Sequence, residues 1–144
     1  MIQDIQQVTP RHTSMDHAIV AAVLARLPAA RAIYRYGSAG GVFEREDSDV
    51  DIAVLSGAPL SFEIRMALVV DLMRALGRDV DVVDMGGVPV TLKIQIVASG
   101  ARLYVADISD VDDYETRVFS DYARLNEERR GILEDVRQRG SVYG

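Results

Sequence analysis

The sequence predicts a mixed α/β domain in which a short mixed β-sheet is flanked by helices and followed by a long C-terminal helix. Apolar residues recur at helical spacing in four segments, and four short β-type runs lie between those segments. Capping residues, prolines and glycines separate the segments from one another. The resulting order is helix, strand, strand, helix, strand, helix, strand, helix, which is typical of a mixed α/β fold.

Each predicted element follows from its periodicity and its end signals. Thr13 and Ser14 are placed to begin the first helix, Ser61 to cap the second, and Gly77 to close it. The predicted helices span residues 15–27, 62–76, 89–98 and 110 onward, and the predicted strands span residues 31–36, 49–55, 79–84 and 102–105.

Length and composition indicate one globular domain. The chain has 144 residues, which is enough to bury a core without metal or disulfide. We expect a single domain over residues 1–144, with a core over residues 14–125 and a helical extension over residues 126–144. A net charge of −6 argues against direct nucleic acid binding, which depends on dense Lys and Arg. A single nucleotide is still compatible with this charge, because a metal ion can supply positive charge locally.

The chain shows no sign of export or membrane insertion. No segment approaches the ~18 consecutive apolar residues that a membrane span requires. Residues 1–10 lack the basic stretch and apolar run of a signal peptide. There is no cysteine, which excludes disulfides and is compatible with a reducing compartment. We therefore expect a cytoplasmic protein.

Two carboxylates in the second predicted strand are the first candidate site residues. Side chains alternate along a strand, so Asp49 and Asp51 project from one face while Val50 projects from the other. Two carboxylates on one surface repel each other unless a cation lies between them, and Mg²⁺ favours carboxylate and phosphate oxygens. A pair of such ions can activate an attacking oxygen and stabilise leaving pyrophosphate.

The end of the preceding strand offers phosphate-binding groups. Gly37 permits the unusual backbone angles of a tight turn, and Ser38 adds a hydroxyl beside backbone N–H groups. These N–H and hydroxyl groups would donate hydrogen bonds to the phosphate oxygens of a bound triphosphate.

The third predicted strand supplies a further acidic candidate. Asp79 and Asp81 share one face of that strand, and Asp84 takes the other. We favour Asp81, because it lies mid-strand between two valines, where an unpartnered carboxylate is costly. Asp79 stays open as the alternative.

These motifs resemble those of a known family. Gly37-Ser38, ten intervening residues and Asp49-Val50-Asp51 match the GS-x10-DxD signature of polymerase β-like nucleotidyltransferases. Asp81 lies where the third acidic strand of that family lies. The chain is similar to the minimal, MNT-type members, many of which are antitoxins of bacterial HEPN/MNT toxin–antitoxin pairs. The charged segment 125–139 is similar to the tail of those antitoxins, so the resemblance covers residues 30–139.

The resemblance implies the nucleotidyltransferase fold and an activity. Such antitoxins transfer AMP from ATP to a tyrosine of the HEPN ribonuclease and so neutralise it. Gly37 and Ser38 would hold the triphosphate. Asp49, Asp51 and Asp81 would bind two Mg²⁺ ions and form the catalytic set. The implied partners are ATP and a cognate HEPN toxin, in a hetero-oligomer.

Other interpretations remain open. Family members commonly carry Ala-Arg-Gly where this chain has residues 40–42 as Gly-Gly-Val, which leaves room for a binding-only antitoxin that neutralises its partner stoichiometrically. Nucleotidyl transfer to a small molecule is a third interpretation. A hydrolase with Ser38 as nucleophile is disfavoured, because His12 and His17 lie in or before the first helix. Residues 127–139 are either a solvated helix face or a partner-docking helix.

Overall fold

The protein folds around a four-stranded mixed sheet with helices on both faces. The computed structural model describes residues 13–37 and 49–143, with only the backbone described over residues 141–143. The elements, in chain order, are α1 (Ser14–Arg26), β1 (Ala32–Tyr36), β2 (Val50–Leu55), α2 (Phe62–Leu76), β3 (Val80–Asp84), a 3₁₀ turn (Met85–Gly87), α3 (Val90–Ser99), β4 (Ala101–Val105) and α4 (Ile108–Tyr143).

The predicted order of helices and strands is confirmed, and the end signals work as expected. The Thr13 side chain accepts a hydrogen bond from the Asp16 backbone N–H, and the Asp16 carboxylate accepts one from Thr13 in return. Ser61 caps α2 through the Ile64 N–H, and Gly77 ends it with a φ of 66°. Two features were not predicted: the 3₁₀ turn after β3, and the start of α4 at Ile108 rather than at residue 110. The strand bounds also differ by one residue, so Asp49 and Asp79, which were predicted to lie in strands, precede β2 and β3.

The sheet has the strand order β3-β2-β1-β4. β1 is antiparallel to both β2 and β4, and β2 is parallel to β3. The parallel connection runs through α2, so β2 and β3 begin at the same end of the sheet, where the antiparallel β1 ends. This arrangement brings Gly37, which follows β1, to the end of the sheet where Asp49 precedes β2.

Alternating strand residues divide the core into two layers. One layer lies under α1 and α2 and includes Ile19, Leu68 and the strand residues Ile52 and Val82. The other lies under α3 and α4 and includes Tyr34, Ala53, Met85, Ile96 and Val111. Residues that lie two positions from Tyr34 or Ala53 along their strands therefore face the α3/α4 side of the sheet.

Helix α4 has an anchored half and an exposed half. Arg31 binds Asp110 through two hydrogen bonds, and Glu115 accepts hydrogen bonds from both Tyr34 and Arg102. Tyr114 packs against the second core layer. Every described side chain from residue 127 onward is exposed, including three large apolar ones: Ile132, Leu133 and Val136. None of the described helices is both long and apolar enough to cross a membrane.

Candidate active site

Three side chains form a row across the sheet at the end where β2 and β3 begin. Tyr36 is paired with Asp51 between β1 and β2, and Asp51 is paired with Asp81 between β2 and β3. Directly paired residues project from the same face, so the row Tyr36–Asp51–Asp81 lies on the α3/α4 side. The site residues Asp51 and Asp81, predicted from separate strands, are thus direct neighbours.

Gly37 lies against the Asp51 carboxylate. Its φ of 77° is in the left-handed region that glycine adopts without strain. A β-carbon at this position would lie 2.5 Å from Asp51 Oδ2, which is closer than any ordinary contact. Glycine therefore fits the turn without strain, and a residue with a β-carbon would displace the Asp51 carboxylate.

The electrostatics of the row centre on Asp51. Partial burial raises the pKa of the Asp51 carboxyl, and the nearby Asp81 and Asp49 carboxylates raise that pKa further. Asp81 is exposed, whereas Val80 and Val82 on either side of it project from the opposite face of the sheet into the core. The site thus presents a half-buried carboxylate beside an exposed one, and burial and the neighbouring charges disfavour the ionised form of Asp51.

Tyr36 was not singled out from the sequence. Burial, together with the Asp51 and Asp81 carboxylates, raises the pKa of the Tyr36 phenol to about 12. The phenol therefore stays protonated at neutral pH and is a neutral donor beside two carboxylates. The alternation of β1 places Tyr36 on the same face as Tyr34, but its neighbour in β2 could be known only from the strand pairing.

The remaining acidic candidates divide into two groups. Asp49 and Asp79 precede their strands and are exposed, and the Val50 N–H donates to the Asp79 carbonyl at 2.9 Å. Asp84 lies at the other end of β3, where its carboxylate accepts hydrogen bonds from the Leu60 and Gly86 N–H groups. Asp84 thus stabilises two turns far along the strand from the row.

Some predicted positions lie outside the described residues. Ser38, His12 and residues 40–42 belong to this group, so their predictions stay predictions. His17 is described and is exposed on α1.

The two carboxylates of the row are residues that could hold a divalent cation. Within residues 13–37 and 49–143, no group of three or more His, Cys, Asp or Glu side chains is preassembled to hold a metal ion. Mg²⁺ does not need such a cage, because it commonly takes one or two carboxylates together with phosphate oxygens and water. Asp51 and Asp81 supply two adjacent carboxylates whose mutual repulsion a cation would relieve. The residues present fit this ion.

Comparison with known proteins identifies relatives that share the fold. The chain is 31% identical over 121 residues to the protein adenylyltransferase MntA of Shewanella oneidensis, covering 84% of this chain and 86% of the relative. It is similar to an MNT antitoxin solved in complex with a tri-AMPylated HEPN toxin of Shewanella oneidensis, with 30% identity and a TM-score of 0.70, covering 85% of this chain and 95% of that one. A toxin–antitoxin structure with AMP-PNP gives 33% identity and a TM-score of 0.73, covering 84% of this chain and 97% of that one.

A family model supports the same assignment. The model described as polymerase beta, nucleotidyltransferase, matches residues 19–109. That range includes the row Tyr36–Asp51–Asp81 and all four strands. The fold, the paired carboxylates and the matched range agree, and the chain belongs to the polymerase β nucleotidyltransferase family.

Proposed function

We propose that this protein is an adenylyltransferase and an antitoxin, which transfers AMP from ATP to a tyrosine of a HEPN ribonuclease toxin and so neutralises it. The observation that carries the proposal is the direct pairing of Asp51 with Asp81 beside the Gly37 turn. The relatives support it, since they include a protein adenylyltransferase and an antitoxin in complex with an AMPylated HEPN toxin.

The proposal gives each site residue a role. Gly37 and Ser38 bind the triphosphate of ATP through backbone N–H groups and a hydroxyl. Asp49 and Asp51 lie next to that turn and are placed for the nucleotide side of the site. Asp81 is the exposed member of the row and faces the arriving acceptor. The same proposal divides the chain into a catalytic core over residues 14–125 and an extension over residues 126–144.

Two Mg²⁺ ions would be held by Asp49, Asp51 and Asp81 together with phosphate oxygens. When bound, they would neutralise charge on the phosphates and favour departure of pyrophosphate. The half-buried position of Asp51 strengthens any such interaction, because the local dielectric is lower than in water.

The reaction is one nucleotidyl transfer. The phenol oxygen of the acceptor tyrosine forms a bond to the α-phosphorus of ATP, and the bond from that phosphorus to the bridging oxygen breaks. Pyrophosphate leaves with the electron pair of that bond. Asp81 accepts the phenol proton, and Gly37 keeps Asp51 in position beside the transferred phosphate.

The experiment is transfer of label from α-labelled ATP, with Mg²⁺, to the protein encoded by the neighbouring gene. Wild type is compared with Asp49→Asn, and Asp113→Asn serves as the control because Asp113 is an exposed carboxylate on α4. We expect label on a tyrosine of the partner with wild type and with the control, and at least ~100-fold less with Asp49→Asn.

Two outcomes would contradict the enzymatic account. A tight complex without label on the partner would favour the binding-only antitoxin, for which the Gly-Gly-Val sequence at residues 40–42 is the motivating observation. Full neutralisation of the partner by Asp49→Asn would show that AMP transfer is not how neutralisation occurs.

A further inference from the structure

Tyr36 has a side-chain hydroxyl that the fold leaves unused. Tyr34 and Tyr36 lie on the same face of β1, two residues apart. Tyr34 is buried, and its hydroxyl donates a hydrogen bond to Glu115 of α4 at 2.6 Å. The Tyr36 hydroxyl, by contrast, makes no hydrogen bond with any of the residues that the structure describes. One phenol therefore joins a strand to a helix, and the other is available to bind another molecule.

Packing explains the ring of Tyr36 but not its hydroxyl. The ring is partly buried and packs against the second core layer. A phenylalanine ring would fill the same space, and an unpaired hydroxyl that is taken out of water costs free energy. Since the core gains nothing from the hydroxyl, the adjacent site is the place where it can contribute.

The hydroxyl lies at the acidic row. Tyr36 is directly paired with Asp51, and directly paired residues have β-carbons about 4.5–5.5 Å apart. The Asp51 and Asp81 carboxylates both act electrostatically on the Tyr36 phenol, so the phenol is within range of both. Tyr36 also directly precedes Gly37, whose turn packs against Asp51 Oδ2. The phenol is thus near the two carboxylates and next to the turn proposed to bind the triphosphate.

The charges around the row call for a hydrogen-bond donor. Among the described residues, the charged side chains that act on Asp51 are the carboxylates of Asp81 and Asp49. A bound triphosphate adds further negative charge, which metal ions and hydrogen-bond donors must offset. A phenol is protonated at neutral pH and supplies one such donor without adding charge of its own. Tyr36 is therefore placed to donate to a phosphate oxygen.

The Asp51 carboxylate is the competing acceptor for this donor. However, the Tyr36 hydroxyl makes no hydrogen bond to Asp51, although the two residues are directly paired. A cation held between Asp51 and Asp81 would also compete for the same carboxylate oxygens. A bound nucleotide brings several new acceptor oxygens to this place, so the geometry favours a phosphate oxygen as the acceptor.

We propose that the Tyr36 hydroxyl donates a hydrogen bond to a non-bridging oxygen of the α-phosphate of ATP, which makes Tyr36 a further catalytic residue. This proposal rests on the proposed function and adds a residue that binds the reacting phosphate. The α-phosphate is favoured over the other two phosphates because the proposed function places Asp51 beside it. Tyr36 keeps its proton throughout, and the hydrogen bond stabilises charge on the phosphate oxygen while the acceptor attacks and pyrophosphate leaves.

The experiment removes either the donor or the acceptor of the proposed hydrogen bond. Tyr36→Phe deletes the hydroxyl and keeps the ring. Each of the two α-thio diastereomers of ATP replaces one non-bridging α-oxygen with sulfur, which is a weak acceptor. Tyr34→Phe is the matched control, because it deletes a hydroxyl from the same face of β1 that binds Glu115 instead. Nucleotide affinity is measured by competition with a fluorescent ATP analogue, and kcat is measured for transfer to the partner.

We expect Tyr36→Phe to weaken ATP affinity by ~3- to 10-fold and to lower kcat by at least ~10-fold, with an unchanged melting temperature. With one of the two thio diastereomers, wild type and Tyr36→Phe should differ less than ~2-fold, because the acceptor of the bond is already gone. Tyr34→Phe should have a lower melting temperature than wild type, together with wild-type ATP affinity and kcat.

Three results would overturn the proposal. The first is wild-type ATP affinity and kcat in Tyr36→Phe. The second is a loss of equal size with ATP and with both thio diastereomers, which would mean that the hydroxyl acts on Asp51 or on the core. The third is AMP label on Tyr36 itself in wild type, because Tyr36 would then be an acceptor of AMP rather than a donor to its phosphate.

The two proposals fail in different ways. If wild type binds ATP but transfers no AMP, the proposed function fails, and the affinities of Tyr36→Phe for ATP and its thio diastereomers still decide whether Tyr36 contacts the α-phosphate. If wild type transfers AMP and Tyr36→Phe matches it in affinity and kcat, only the Tyr36 proposal fails.

Discussion

Replacing Gly37 with alanine is expected to damage the site more than the fold. The residue has a φ of 77°, so an alanine there costs about 1–2 kcal/mol of backbone strain. Its β-carbon would lie 2.5 Å from Asp51 Oδ2, and an ordinary contact needs roughly 3.4 Å or more. The Asp51 carboxylate must therefore move by about 1 Å, and a misplacement of that size can lower catalysis by ~100-fold.

The matched control is Gly77→Ala. Gly77 has a similar φ of 66°, but nothing lies within 4 Å of the β-carbon that alanine would add. Both variants should therefore lose about the same 1–2 kcal/mol in the free energy of unfolding, measured by urea denaturation. Only Gly37→Ala should also lose transfer of AMP, measured as label incorporated per minute into the partner at saturating ATP.

The comparison has a clear contrary result. If Gly37→Ala transfers AMP as fast as Gly77→Ala at equal stability, Asp51 is not held at a required position by the Gly37 turn. The roles proposed for both residues would then be wrong. If both variants lose activity equally, the loss comes from backbone strain, and the close approach of Gly37 to Asp51 has no part in it.

Three further predictions follow from the same geometry. Asp81→Asn should lower the rate of AMP transfer by at least ~100-fold, and Asp79→Asn should lower it much less, as measured with α-labelled ATP. A larger loss in Asp79→Asn than in Asp81→Asn would make Asp79 the third carboxylate. Asp51→Asn should raise the melting temperature at pH 7 without divalent cations while abolishing transfer. The raised pKa of Asp51 means that the folded state binds more protons than the unfolded state. The free energy of unfolding of wild type therefore falls as pH rises above the ordinary carboxyl range. The asparagine variant should not show this fall with pH. Asp16→Ala should lower the free energy of unfolding, measured by urea denaturation, by about 3–5 kcal/mol. The substitution removes the carboxylate that the mostly buried Arg35 contacts at 2.8 Å. A loss below ~1 kcal/mol would contradict this reasoning.

The fold was accessible from the sequence because local signals and tertiary packing agree. Ser61 and Gly77 mark the ends of α2 by hydrogen-bond and backbone preferences that act within a few residues. The 3₁₀ turn was not predicted because Asp84, whose side chain caps it, was interpreted as a candidate site residue rather than as a capping residue. The start of α4 was placed too late because the Asp107 carboxylate, which accepts from the Ser109 and Asp110 N–H groups, was not recognised as its cap.

The site was only partly accessible for a different reason. Asp49 and Asp51 are two residues apart, so a local acidic pattern relates them, although Asp49 precedes β2. Asp51 and Asp81 are 30 residues apart, and their contact depends on the parallel register of β2 and β3. Tyr36 was missed because its place beside Asp51 depends on an antiparallel register that no local pattern encodes. Sequence spacing identifies residue types, whereas strand pairing determines which of them meet.

The direct pairing of Asp51 with Asp81 also bears on how the chain avoids misfolding. A slip of β3 by one residue against β2 would turn Asp81 into the layer that holds Leu68 and Leu72, and would turn Val82 outward. An ionised carboxylate in that apolar layer would cost several kcal/mol, so the slipped arrangement is strongly disfavoured. Asp81, the residue proposed to receive the acceptor's proton, thus also disfavours the wrong register of β3 during folding. Without this carboxylate, the slipped register would cost less free energy.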